Sequence, residues 1–351
     1  MTKPRVLVIH PLVFVGRGEL ESEFIVEQLQ WQLPAKEQEL REKIKAKDGV
    51  ICFSMDIFNR EVLQSADELK VISSVSAGLD HIDLAEATKR GIYVANTPRA
   101  PTDSVAEFAI ASLLAIAKRI PEGDRMIRSG RWKGPPKGKP GLTYMIGPEL
   151  KGKTLGIIGL GRIGSAIARK IKGFGLRILY YDIAKRREIE KELDIGATSL
   201  ERLLMESDFV ALCVSLTAQT RGLIGARQLG MMKRTAYLVN VSRGAILDEE
   251  ALARVLKRGR IAGAALDVFA TEPIRKDHAL ASLENIVLTP HIASATLEAR
   301  RAMVFQAVEN MTELFKGIVP MDLANPEVMK KRPLDQLRML RPSVPHHARA
   351  R

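Results

Sequence analysis

The chain has 351 residues, with 54 Lys+Arg against 41 Asp+Glu and a formal charge of +13, and that length predicts two domains. Its 46% hydrophobic and 27% charged residues exclude a disordered chain, and no apolar run reaches the roughly 20 residues of a membrane span. Only Cys52 and Cys213 are present, far apart and without CxxC spacing, which excludes a disulfide framework and a cysteine zinc site.

The N-terminus passes from Lys3 and Arg5 into a short apolar run without the longer apolar region and cleavage site of a signal peptide, so a cytoplasmic location is expected. Val6–Ile9, Val50–Phe53, Val71–Val75 and Ile92–Ala95 read as strands. Between them the Glu/Gln-rich stretch 19–46, the segment 60–69 and Leu84–Arg90 read as helical, with Asp83 as N-cap and Gly91 as the C′ glycine. Such alternation predicts a parallel sheet covered by helices. Asp103 to Ile120, bounded by Pro101 and Pro121, reads as one buried connecting helix. Residues 133–152 read as a loop. Its GPPKGKPG stretch is not a phosphate loop, because Pro140 follows Lys139 where Ser or Thr is needed.

A second alternating unit starts at Lys153. Thr154–Ile158, Arg177–Tyr181, Phe209–Val214, Ala236–Asn240, Gly263–Asp267 and Ile286–Leu288 are predicted strands, and Glu298–Lys316 a final amphipathic helix. Residues 330–351 carry seven Lys or Arg against Asp335 alone and read as a solvated, poorly ordered tail. No aromatic residue interleaves those cations, so nucleic acid is not an expected partner.

Gly159-Leu160-Gly161-Arg162-Ile163-Gly164 follows a predicted strand and opens a predicted helix. The first glycine allows a tight turn, the second lets the backbone approach a pyrophosphate, and the third permits close helix–strand packing. Asp182 ends the next strand, 18 positions past Gly164, where a carboxylate can accept both ribose hydroxyls and repel a 2′-phosphate. NAD is therefore the expected cofactor. NADP stays open, because Lys185, Arg186 and Arg187 follow closely.

Asn240 to Gly244, Asp267 to Pro273 and Leu288 to Ser294 each follow a predicted strand, so all three should meet at one edge of the sheet. Reduction of a keto acid asks for the residue types they carry. A guanidinium, here Arg243, can hold a carboxylate bidentately and polarise the neighbouring carbonyl. An imidazole, His291, can supply the proton an alkoxide takes up, and a carboxylate beside it, Glu272, holds the ring and favours its protonated form.

On these motifs, together with Ser76-Ala77-Gly78-Leu79-Asp80-His81-Ile82-Asp83 and Pro290 to Thr296, the chain resembles the D-isomer-specific 2-hydroxyacid dehydrogenase family over roughly residues 3–320. Its glyoxylate/hydroxypyruvate reductase and phosphoglycerate dehydrogenase branches are the nearest in likeness. The resemblance implies an α/β fold of two Rossmann-like domains, doubly wound parallel sheets with the cofactor domain inserted into the substrate domain. The implied boundaries are 1–100 plus 290–328 for the substrate domain and 101–289 for the NAD-binding domain, leaving 329–351 as the basic tail. It implies Arg243 as substrate binder, His291 as acid/base, Glu272 as its tuner, and Asp267 as acceptor from the nicotinamide carboxamide. The backbone of Ala77 and Gly78 would hold the substrate carboxylate. Arg162, Ile163, Val214, Val241 and Ser294 are carried over as further cofactor contacts. Glu272, where related formate dehydrogenases carry Gln, argues for a hydroxy acid. No metal is implied. A homodimer built on the cofactor domains is, and Arg125, Arg128, Arg131 and Trp132 lie where it could form.

Two departures limit the carry-over. Leu212 to Thr217 lacks the His and Pro that relatives often show around the valine, and the basic tail extends beyond the family's usual end. The expected activity is an NAD(H)-dependent interconversion of a small 2-keto acid and its D-2-hydroxy acid. Two rivals stay open. One is phosphoglycerate or another dehydrogenase chemistry on this scaffold. The other is a dinucleotide-sensing, corepressor-like binding protein, which the intact Arg243/Glu272/His291 set argues against.

Overall fold

The structure, a computed structural model, describes residues 2–29, 35–134, 141 and 144–340. The chain divides into two compact units, residues 1–101 with 296–351, and residues 102–295.

The first unit holds β1 (Arg5–Val8), β2 (Ile25–Gln28), β3 (Gly49–Phe53), β4 (Val71–Val75) and β5 (Tyr93–Ala95), all parallel, in the order β2-β1-β3-β4-β5. Its helices are α1 (Arg17–Glu23), α2 (Glu37–Lys43), α3 (Arg60–Gln64), α4 (Leu84–Lys89) and, from the far end of the chain, α12 (Leu297–Lys316). Two-residue alternation splits the strand side chains between two cores. Val6, Val8, Ile51 and Val71 pack with Met303, Ala307, Met311 and Phe315 of α12. Leu7, Ile9, Val50, Cys52 and Ile72 pack with Leu40, Val62 and Ala87 on the other face.

The second unit carries seven parallel strands, β6 (Thr154–Ile158), β7 (Arg177–Tyr181), β8 (Gly196–Ala197), β9 (Phe209–Leu212), β10 (Tyr237–Asn240), β11 (Gly263–Leu266) and β12 (Ile286–Leu288). Their order is β12-β11-β10-β9-β6-β7-β8. Around them lie α5 (Thr102–Ala117), α6 (Ile120–Arg128), α7 (Arg162–Ile171), α8 (Arg187–Leu193), α9 (Leu200–Glu206), α10 (Ala226–Met231) and α11 (Glu249–Lys257). The strand order reverses between β6 and β9, and a crevice at the carboxyl ends of such a pair is where open α/β sheets bind ligands. Among the described residues, no helix is long and apolar enough to cross a membrane.

The structure corrects several expectations. The stretch 19–46 contains β2, and β8 was not foreseen. Both are sheet edges, which carry few apolar side chains and leave little pattern to read. The connecting helix stops at Ala117, and Arg119 turns left-handed (φ 55°) before α6 begins. The chain returns to the first unit at Thr296 rather than near 290, because hydrogen bonds to Asp267 keep residues 289–293 with β11. Residues 329–340 are not a loose tail. The 3-10 turns Pro326–Lys330 and Leu334–Leu337 bury Val328, Leu337 and Leu340 in the α12 core, and Phe315 O accepts from the amides of Met339 (2.9 Å) and Leu340 (3.0 Å). The rest of the basic tail, 341–351, and residues 135–140 and 142–143 of the glycine/proline loop lie outside the described residues.

Candidate active site

The fully buried β6 runs into Gly159, whose φ of +95° suits glycine. A Cβ there would lie 2.7 Å from Val214 Cγ1 and 2.8 Å from the Cys213 carbonyl carbon, so the turn sits against the segment leaving β9, at the point of strand reversal. At Gly164 a Cβ would meet Gly159 O at 2.1 Å, which is the close packing of α7 on the turn. At Gly161 it would meet nothing within 4 Å, and no side chain caps the start of α7. Open space over a glycine, facing uncapped amides at a helix N-terminus, fits a pyrophosphate. Asp182, just past β7, locks the turn from the side. Its Oδ2 accepts from Leu160 N (2.8 Å) and its Oδ1 from Ala184 N (3.0 Å), with Arg186 Nε 3.8 Å away. Arg162 is exposed, Ile163 packs partly on the core beneath, and Val241 is buried at the start of the loop that carries Arg243.

That loop is shaped by Asn240, the fully buried last residue of β10. Its Oδ1 accepts from the amide and hydroxyl of Ser242, both at 3.0 Å, and its Nδ2 donates to Arg243 O at 3.0 Å. Arg243 itself is partly buried in extended backbone, and its Nη1 donates to Ser242 O at 2.9 Å. At the next residue, Gly244, a Cβ would be 1.8 Å from the Phe269 carbonyl carbon. The Arg243 loop therefore lies directly on the backbone of the loop after β11.

On that second loop, Glu272 Oε1 accepts from Phe269 N at 2.9 Å, and Oε2 lies 2.7 Å from His291 Nδ1. Burial pushes the Glu272 carboxyl up, but the bonds from His291 and the Phe269 amide and the charges of His291 and Arg243 outweigh it, holding the group below its ordinary value. An ionised carboxylate can only accept, so Nδ1 carries hydrogen and Nε2 is the nitrogen left for chemistry. Because the folded-state value is depressed, this carboxylate stabilises the fold fully above its ordinary pKa of 4.5 and progressively less as pH falls through the lowered value. We expect Glu272→Gln to lose that component. Denaturant midpoints of the two proteins should differ most at neutral pH and converge between about pH 5 and pH 3. A gap that stays constant with pH would contradict the lowered carboxyl.

His291 is one of four non-glycine residues with positive φ among the described residues, at 54°. A left-handed backbone costs about 1–2 kcal/mol outside glycine and persists where surroundings over-determine it. The buried Asp267 does so. Its Oδ1 accepts from Thr289 Oγ1 (2.7 Å) and Ile292 N (2.9 Å), its Oδ2 from Ala293 N (2.8 Å), and its own carbonyl from His291 N (2.9 Å). Ala293 O in turn accepts from Ser104 Oγ (2.7 Å), and Ser294, next along, is partly buried. Asn240 and Asp267 thus fix the backbone that carries Arg243 and His291, a task the sequence alone did not assign them. The Asn-x-Ser pattern after a strand, which favours a side-chain-closed turn, was the available signal for Asn240.

Arg243, Glu272 and His291 are brought together in the second unit. Ala77 and Gly78 lie in the first, on the turn after β4, with Ala77 exposed. Asn96 Nδ2 donates to Ala77 O (2.8 Å) and Ser76 Oγ to Gly78 O (2.7 Å). His81 lies beneath them, buried, with Nε2 3.0 Å from Ser74 Oγ, and Asp83 caps α4 by accepting from Glu86 N at 2.9 Å. Among the described residues, no group of three or more His, Cys, Asp or Glu could hold a metal ion.

The chain is also similar to known proteins. Residues 110–293 match the family model described as D-isomer specific 2-hydroxyacid dehydrogenase, NAD binding domain. A glyoxylate reductase of Thermofilum pendens is 46% identical over 344 residues, 97% of this chain and 100% of that protein. The solved NADPH-dependent glyoxylate/hydroxypyruvate reductase of Sinorhizobium meliloti, in complex with NADP and malonate, has a TM-score of 0.80 at 31% identity over 93% of this chain and 98% of its own. The D-lactate dehydrogenase of Aquifex aeolicus, complexed with NAD and lactic acid, has a TM-score of 0.77 at 30% identity over 93% of this chain and 98% of its own.

Proposed function

The chain belongs to the D-isomer-specific 2-hydroxyacid dehydrogenases, an enzyme using a nicotinamide dinucleotide on a small keto or hydroxy acid, and from that premise we propose that it is an NADH-dependent glyoxylate and hydroxypyruvate reductase. The observation that carries the proposal is the 2.7 Å pairing of Glu272 with His291 Nδ1, next to a loop bearing Arg243, at the carboxyl ends of β10, β11 and β12. The glycine turn would hold a reduced nicotinamide dinucleotide, which would supply the hydride. Arg243 holds the substrate carboxylate and polarises the 2-keto oxygen, and His291 Nε2 donates the proton that oxygen takes up. Glu272 stays ionised and keeps the ring oriented. Within the first unit, the backbone of Ala77 and Gly78 would offer amides to a carboxylate.

The glycine turn, Arg162, Ile163, Val214, Val241 and Ser294 would line the dinucleotide. Asp267 holds three side-chain bonds to its own chain, and a carboxylate has about four acceptor positions. That leaves room for a nicotinamide carboxamide donor. Asp182 is the selector of the second nucleotide's ribose. A negative group accepting from Leu160 N opposes a 2′-phosphate, although Lys185, Arg186 and Arg187 stand nearby. We expect NADH to exceed NADPH by about tenfold or more in kcat/KM, with turnover of glyoxylate and of hydroxypyruvate to D-glycerate. Reduced-cofactor oxidation followed spectrophotometrically over a panel of 2-keto acids checks this. A preference for NADPH would refute the cofactor assignment, and no turnover of either acid the substrate assignment.

The same reading makes the protein a cytoplasmic homodimer. Its cysteines are free thiols, and the second unit exposes Ile120, Ile127 (62%), Trp132 (63%) and Ile146, apolar side chains that a second copy could cover. Sedimentation should give twice the 38.8 kDa chain mass, and Trp132→Glu should shift it toward monomer. A monomer at micromolar concentration would refute the dimer.

A further inference from the structure

Two partly buried arginines of the first unit, Arg300 and Arg332, have no counter-charge among the described residues. Arg300, the fourth residue of α12, is partly buried, and among the described residues its guanidinium has no hydrogen-bond or ion-pair partner. Burial lowers its pKa from the ordinary value, and no neighbouring charge offsets that. Its neighbour Arg301, by contrast, is exposed and lies over the Phe305 ring, 5.5 Å from its centre. A half-desolvated guanidinium without an acceptor is costly, and of the two Arg332 lies against Gly91, ahead of β5, while Arg300 sits near the start of α12.

The packing of α12 shows where Arg300 lies. Ala307 O accepts from Ser73 Oγ at 2.7 Å. Met311 and Phe315 cover Gly49, where a Cβ would be 2.7 Å from Met311 Sδ, and Gly49 is paired with Val71. The helix therefore runs antiparallel to β3 and β4, its C-terminal part over the beginnings of the strands. From Ala307 back to Arg300 is roughly 10 Å of helix, and from Ser73 on to Ser76 is roughly 10 Å of strand. Arg300 is thus level with the end of β4, where the turn Ala77–Gly78 starts.

That turn is built to present amides. Its two carbonyls are tied down by Asn96 Nδ2 and Ser76 Oγ, and a trans peptide points its N–H opposite its C=O. The N–H groups of Gly78 and Leu79 therefore face away from those anchors, and among the described residues the amides of Ala77, Gly78 and Leu79 have no acceptor. Successive outward amides and an uncompensated guanidinium at one level of the fold describe a site for a small anion.

We propose that Arg300 completes this site with the Ala77–Leu79 amides and binds the carboxylate of a 2-keto acid there. The proposal rests on the keto-acid reading above. It is tested with Arg300→Gln and Arg300→Lys, with Arg301→Gln as the control for loss of charge alone. The measurements are KM and kcat for glyoxylate, and the Kd of oxamate, an unreactive 2-keto acid analogue, by calorimetry in the presence of NADH.

Loss of a charge-assisted bond should raise KM and the oxamate Kd together by about ten- to a hundredfold in Arg300→Gln. Arg300→Lys should raise both by less, Arg301→Gln should match the unaltered protein, and NADH affinity should hold throughout. Unmoved KM and Kd in Arg300→Gln, or an equal rise in Arg301→Gln, overturns the proposal and leaves the enzyme assignment standing. If Arg300→Gln does not fold, Arg300→Lys decides, and unaltered KM and Kd in it overturn the proposal. An unaltered protein that neither reduces glyoxylate nor binds oxamate overturns both readings.

Discussion

Replacing His291 with alanine is expected to lower kcat for glyoxylate reduction by about two to four orders of magnitude at neutral pH, with NADH affinity unchanged. In the proposed reaction the imidazole is the proton donor, its Nε2 left open when Glu272 claims Nδ1. The substitution removes the ring while leaving the backbone under the control of Asp267, whose bonds run to main-chain atoms and Thr289. His291 already bears the left-handed strain that alanine would inherit, so any drop in melting temperature should come from loss of the Glu272 pair. Steady-state kinetics together with a fluorescence titration of NADH separates the two effects. Retention of more than about a tenth of kcat would remove His291 from proton transfer.

Arg243→Ala should cost about three to five orders of magnitude in kcat/KM, since one side chain is asked both to bind the carboxylate and to stabilise charge on the keto oxygen. Arg243→Lys should recover only part, because an ammonium cannot grip a carboxylate bidentately while facing the adjacent carbonyl. The loss should divide between a raised KM and a lowered kcat. A change confined to KM would reduce Arg243 to a binding residue and shift carbonyl polarisation elsewhere.

Much of this site could be read from the chain because its chemistry sits where strands end. Gly159 to Gly164 lies between an apolar strand and a helix, and Asp182 closes the following strand, so the turn was legible from residue types and spacing. Arg243, Glu272 and His291 were legible as the three side-chain types a keto-acid reduction needs, each just past a strand. Their supports were not. Asn240 and Asp267 act through hydrogen bonds to main-chain atoms that become neighbours only when the loops fold, and neither residue type announces that. The edge strands β2 and β8 lacked an apolar run, and the buried 3-10 turns after α12 were hidden by the cations around Val328, Leu337 and Leu340. Nothing in the sequence sets Arg300 apart from the other cations of the α12 segment.

The first unit is assembled from both ends of the chain, and this sets an order on its maturation at the ribosome. β1 to β5 emerge early, yet Met303, Ala307, Met311 and Phe315, which cover one face of their sheet, are translated only after the whole of the second unit. The second unit is continuous and can close its own core while synthesis proceeds. During that interval the nascent amino-terminal sheet keeps Val6, Val8, Ile51 and Val71 uncovered, an aggregation hazard lasting until the final helix leaves the exit tunnel.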